Sequence, residues 1–102
     1  MGNKPYHLTP AAISDLENIW TYSAYTWSPT QADQYIAGLT SAFDLIADNP
    51  EIARERSEYS PPVRIYRHRS HIVIYQASKD AVIVIRVRHG NEDWMGDLAG
   101  TD

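Results

Sequence analysis

Val63-Arg-Ile-Tyr-Arg-His-Arg-Ser-His-Ile-Val-Ile-Tyr75, a turn at Ser78-Lys79-Asp80, and Val82-Ile-Val-Ile-Arg-Val-Arg-His89 decide the fold of this chain. β-Branched and aromatic residues dominate these runs, and turn residues separate them at hairpin spacing, so they predict three consecutive antiparallel strands. The expected bounds are about Val63–Arg67, His71–Ala77 and Ala81–His89. Five of the seven arginines fall in this third of the chain. Burying a guanidinium is costly and strand side chains alternate faces, so the arginines are expected on a solvated side of one small sheet.

Alternation assigns the faces. In the last strand Ile83, Ile85 and Val87 share one side with His89, while Val82, Val84, Arg86 and Arg88 share the other. The unbroken Ile/Ile/Val set reads as the core side, which turns Arg86 and Arg88 outward. The middle strand is apolar on both parities, as expected of a central strand covered on each side. The strand Val63–Arg67 carries Arg64 and Tyr66 on one face and Val63, Ile65 and Arg67 on the other.

Outward from these strands, the N-terminal half reads as one short strand and two helices. Tyr6-His7-Leu8 is a strand, and Thr9-Pro10 supplies an N-cap followed by proline at the first helical position. The first helix is expected to reach about Trp27, with Ile13, Leu16, Ile19, Trp20 and Trp27 as its apolar stripe and both tryptophans in the core. Asp15 and Glu17 lie toward its positive end. Ser28-Pro29-Thr30-Gln31 repeats the start signal, Ala32, Tyr35, Ile36, Leu39, Ala42, Phe43, Ile46 and Ala47 supply a buried face, and Asp48-Asn49-Pro50 ends the second helix. Glu51 to Pro62 reads as an exposed loop. The predicted class is α+β in the order β-α-α-β-β-β, a helical hairpin packed on one face of a small antiparallel sheet.

At 102 residues the chain is expected to form one domain, 1–102, with an acidic tail over 90–102. The absence of cysteine excludes a thiol nucleophile, a cysteine zinc site and a disulfide framework. No apolar run has the length of a membrane span or the form of a signal peptide, which predicts a cytoplasmic protein. The net charge of −4 conceals segregation. Pro5 to Ala53 holds six acids and no Lys or Arg, whereas Ser60 to His89 holds six basic residues and only Asp80. The overall balance argues against a general nucleic-acid binder and leaves room for a local anionic contact.

Motifs for chemistry are few. His68 and His71 bracket a turn without a third ligand at a telling distance, so no metal and no cofactor is expected. There is no Gly-x-Ser-x-Gly elbow and no phosphate-cradling glycine loop. What remains is metal-free phosphodiester chemistry, in which arginines stabilise developing charge and a histidine moves protons. Arg64, Arg67, Arg86, Arg88, His89 and Tyr75 could furnish it.

Taken in order, several segments resemble the ParE/RelE toxins of bacterial type II toxin–antitoxin modules. They are Leu8-Thr9-Pro10-Ala11-Ala12, Asp15-Leu16-Glu17-Asn18-Ile19-Trp20, Ala32-Asp33-Gln34-Tyr35-Ile36, Ile46-Ala47-Asp48-Asn49-Pro50, Arg64-Ile65-Tyr66, Ser70-His71-Ile72-Val73-Ile74-Tyr75 and Ile85-Arg86-Val87-Arg88-His89-Gly90 with Asp93-Trp94. The resemblance spans nearly the whole chain and is strongest to the ParE branch. It implies a plasmid-stabilising, growth-inhibiting toxin of DNA gyrase, neutralised by a ParD-like antitoxin whose helical segments lie in grooves beside the sheet and the helical hairpin. No membrane partner and no sequence-specific DNA binding by the toxin alone are implied.

RelE-like and YoeB-like relatives instead cut mRNA on the ribosome, with a catalytic His or Tyr at the end of the last strand. Here His89 holds that place but Gly90 follows it, no tyrosine occurs after Tyr75, and the predicted helices carry no basic residue. The expectation is therefore a non-enzymatic toxin with Arg64, Arg67, Arg86, Arg88, His89 and Trp94 as target contacts. The alternative is an mRNA interferase using Arg64, Arg86 and His89, and a third reading is a degenerate toxin that only binds its antitoxin.

Overall fold

The computed structural model describes residues 5–90, and the elements run β1 (Tyr6–Leu8), α1 (Pro10–Thr26), α2 (Pro29–Asp48), a 3-10 turn (Pro50–Ile52), β2 (Glu55–Arg56), β3 (Val63–His68), β4 (His71–Ala77) and β5 (Val82–His89). Both helices start on the expected signals. Thr9 Oγ1 accepts the Ala12 N–H at 3.0 Å, Ser28 Oγ accepts the Gln31 N–H at 3.0 Å, and each cap is followed by proline. No helix among the described residues is long and apolar enough to cross a membrane.

The sheet has five strands in the order β1-β5-β4-β3-β2. β3, β4 and β5 are antiparallel neighbours, as expected, but β1 lies parallel to β5, so the sheet is mixed. A chain that leaves β1 through two helices and three strands returns to its edge from the same direction. The segment read as a loop also contributes structure: Glu55 and Arg56 pair with Arg64 and Val63 as a short edge strand, and Tyr59 packs on the apolar outer face.

The helices cover one sheet face. Leu39, Phe43 and Ile46 of α2 and Ala12 of α1 pack on Val73, Tyr75, Val82, Val84 and Val87. Each large apolar side chain wholly removed from water contributes about 1.5–3 kcal/mol. The opposite face has a smaller core of Val63, Ile72 and Ile74, flanked by Tyr59, Ile65 and Ile85. β4 is thus covered on both sides, as its double apolar parity indicates.

Two expectations about faces are corrected. Val82 and Val84 of β5 are fully buried, whereas Ile83 is 38% exposed. The reason is a bulge. Tyr75 pairs with Val84 and Ile74 with Arg86, so Ile85 is an extra residue and the alternation changes phase across it. Beyond the bulge Val87 and His89 return to the helix side. The second correction concerns α1: Trp27 is 69% exposed and Trp20 is 37% exposed, and Ile13 is largely solvated too. Its inner line runs through Ala12, Asp15, Leu16 and Ile19 instead.

A candidate contact face and a histidine-lined cleft

The four arginines and one histidine proposed from the sequence that lie among the described residues fall into four separate places. Arg67 and Arg88 lie on the outer face. The register aligns Arg67, Ile72 and Arg88 across β3, β4 and β5, so two guanidiniums flank one buried isoleucine. Gly90 gives Arg67 room, because a β-carbon there would come within 2.9 Å of both terminal guanidinium nitrogens. This row borders the apolar patch of Ile65, Ile74 and Tyr59, and so combines charge with an apolar centre.

Arg86 does not join that row, which corrects the outward assignment made from alternation. Its Nε and Nη2 donate to Asp15 Oδ2 and Oδ1 at 2.8 and 2.9 Å, a bidentate pair reaching from β5 to α1. Asp15 is 92% removed from solvent, so this carboxylate acts as a structural ion-pair partner rather than a surface charge near the helix end. Arg64 is also held internally, its Nη1 donating to the Ala53 carbonyl. Tyr75 is fully buried and donates to the Pro50 carbonyl at 2.7 Å, and burial raises its pKa first of all, with the Ala53 backbone and Arg64 acting the other way. It is part of the core and is not presented to a substrate.

His89 stands at the end of β5 opposite His71, with ring centroids 5.3 Å apart. His71 Nδ1 shares a 2.6 Å hydrogen bond with Tyr35 of α2, and His68 packs edge-on against the same tyrosine with centroids 5.8 Å apart. Desolvation pushes the Tyr35 pKa up, partly offset by the Ser70 backbone and the positive charge of Arg69. Desolvation and then Arg69 push the His68 pKa below its ordinary value. The residue pair His68 and His71 therefore converges on a phenol from α2. Among the described residues no group of three or more His, Asp or Glu side chains is arranged to hold a metal.

The rings of Tyr35, His71 and His89 line a half-open cleft of about 690 Å³ between the end of α1, the start of α2 and the β3–β4 turn. Trp27 and Tyr22 stand at its rim, Gln31 and Gln34 line it from α2, and Arg69 enters from the turn. Sequence reasoning missed this cleft because Tyr35 fitted a core stripe and Trp27 a buried one. The signal present was Arg69-Ser70 as a two-residue turn between paired histidines; Arg69 has φ 54°, the left-handed conformation such turns require. Trp94, the remaining proposed contact, lies outside the described residues.

Arg64, Arg86 and His89, the set an mRNA interferase would use, are thus engaged at three different partners: a loop carbonyl, a helix carboxylate and a neighbouring imidazole.

Comparison with known proteins gives a consistent result. The family model for the ParE toxin of type II toxin-antitoxin system, parDE, matches residues 6–94. Toxin ParE1 of Mycobacterium tuberculosis (strain ATCC 25618 / H37Rv) is 38% identical over 89 residues, covering 86% of this chain and 91% of that protein. Toxin ParE1 of Caulobacter vibrioides (strain ATCC 19089 / CIP 103742 / CB 15) is 35% identical over 86 residues, covering 84% and 88%. A solved structure, the chromosomal ParDE TA system from P. aeruginosa, superposes with a TM-score of 0.74 at 13% identity, covering 85% of this chain and 96% of that one. At that identity the superposition speaks for the fold alone.

Proposed function

The chain belongs to the ParE toxin family of type II toxin–antitoxin systems, and from that premise we propose that it acts without catalysis, by binding DNA gyrase and blocking replication. The observation that carries this reading is the internal engagement of Arg64 and Arg86. Two of the three groups an interferase would aim at a phosphodiester are committed to holding the fold together. Arg67 and Arg88, set around the apolar outer patch, have the mixed character of a protein-contact surface. A gyrase target places the toxin in the cytoplasm.

The partner in this reading is a ParD-like antitoxin. Ile13 and Trp20 of α1 and Trp27 at its C-cap, spaced by two helical turns each, form one line of exposed apolar and aromatic surface. An amphipathic helix of the antitoxin laid against it would cover that surface.

The test is a supercoiling and cleavage assay with purified gyrase. The protein is expected to inhibit supercoiling and to accumulate linear plasmid, and an Arg67→Ala/Arg88→Ala double variant should lose most of this effect while remaining folded. Rapid mRNA cleavage in induced cells with intact DNA would overturn the reading.

A further inference from the structure

The cleft at the end of the helical hairpin sets a charged wall, which the toxin reading does not use, against the exposed ring of Trp27. On a protein of net charge −4, its wall contains Arg69, His71 and His89 and no acidic side chain among the described residues. Arg69 forms no ion pair with any described carboxylate. Its position at φ 54° in a two-residue turn of a paired hairpin fixes where the side chain leaves the backbone, and Arg69 lines the cleft from there. The electrostatic preference of this site is for an anion.

Its other wall selects which anion. Trp27 is 69% exposed and Tyr22 equally so, and both stand at the rim. A flat aromatic face held in water is a platform for another flat ring. Gln31 and Gln34 bring amide donors and acceptors into the same space, able to meet the edge of a heterocycle. A volume of about 690 Å³ suits a small ligand rather than a folded segment. Inorganic phosphate would leave the aromatic wall unused, and an acidic peptide would leave both the platform and the amides without a matching group.

We propose that this cleft binds a nucleoside phosphate, with the phosphate held by Arg69 beside His71 and His89 and the base stacked on Trp27. The ligand is either a free nucleotide or the phosphorylated end of a single strand, which share this chemistry. The site is independent of the outer arginine row, so it can stand or fall without reference to gyrase.

The experiment titrates the full 102-residue chain with 5′-AMP, 5′-UMP, adenosine, inorganic phosphate, a short oligonucleotide with and without a 5′-phosphate, and an oligoglutamate peptide, read by tryptophan fluorescence and by histidine-ring NMR shifts. The mononucleotides should bind about tenfold more tightly than adenosine, since a charge-assisted phosphate contact is lost without the phosphate. Arg69→Asn, which keeps a residue tolerant of positive φ, and Trp27→Ala should each weaken binding about tenfold at unchanged melting temperature. Tighter binding of the 5′-phosphorylated strand than of 5′-AMP would support a strand end as the source, and the reverse order would support a free nucleotide. Absence of saturable mononucleotide binding, binding untouched by Arg69→Asn, or binding of oligoglutamate in preference to nucleotide would each overturn the proposal.

Discussion

Asp15 Oδ2 accepts the Nε–H of Arg86 at 2.8 Å and the backbone N–H of Val87 at 3.0 Å, and Oδ1 takes Arg86 Nη2 at 2.9 Å. One carboxylate thus neutralises a guanidinium and also caps the stretch of β5 that β1 leaves uncovered beyond Leu8. The helix finishes the edge that the short strand cannot, and this holds α1 in a fixed position over the sheet.

Removing either partner should therefore be costly. Asp15→Ala strands a largely buried guanidinium and a strand N–H, and should lower stability by about 2–4 kcal/mol. Arg86→Ala should cost a similar amount. The double variant should cost less than the sum, with a coupling of about 1–3 kcal/mol, when urea unfolding of the four proteins is compared. Strict additivity would show that the pair does not act as a unit.

The same edge depends on Thr9, whose hydroxyl accepts the Ala12 N–H at 3.0 Å and donates to the Ile85 carbonyl at 2.6 Å. The cap of α1 and the carbonyl of the bulge are satisfied by one oxygen. Thr9→Val should cost about 2–3 kcal/mol, more than a cap alone, whereas Thr9→Ser should cost under about 1 kcal/mol. Equal losses in thermal unfolding would mean that the methyl group, and not the hydroxyl, matters.

That bulge also explains what the sequence could and could not convey. Element types, the two proline-marked helix starts and the buried face of α2 were legible because local chemistry fixes them: Ser28 and Thr9 cap, and Leu39, Phe43 and Ile46 recur at helical spacing. The face of β5 was not, because Ile83-Ile85-Val87 is a better apolar set than Val82-Val84 until one inserted residue changes the phase. Arg86 was misplaced for a different reason: its partner Asp15 lies on α1, 71 positions away, which strand alternation does not convey. Trp20 was read as core from spacing, yet at the helix–helix boundary its indole N–H donates to Asp33 of α2 at 2.8 Å while the ring stays partly in solvent. Parallel pairing of β1 with β5 is likewise a matter of tertiary path, which a three-residue strand does not encode.

His68 provides a pH prediction. Its folded-state pKa lies below the ordinary 6.5, through desolvation first and Arg69 second, and its Nε2 is buried with no hydrogen-bond partner. The unfolded chain therefore binds the proton more readily than the native one. The contribution is fully present above about pH 6.5 and is lost as pH falls through the lower folded value. His68→Leu should have a smaller drop in melting temperature between pH 7.5 and 5.5 than the parent protein. An unchanged drop would assign the acid sensitivity to other groups.

Gly38 tests the packing of that same ring. A β-carbon at Gly38 would lie 3.1 Å from His68 Nε2 and 3.4 Å from Cε1, tight enough to force the imidazole to move. Alanine in a helix interior ordinarily adds about 1 kcal/mol over glycine. Against a ring fixed at the end of β3 and packed on Tyr35, crowding should outweigh that gain, so Gly38→Ala should destabilise the protein by about 1 kcal/mol. In a His68→Ala background the obstruction is gone, and the same substitution should stabilise by about 1 kcal/mol. The reversal of sign is the informative result. A gain of equal size in both backgrounds would mean that the ring yields freely, and that the close approach of α2 to β3 does not require a glycine.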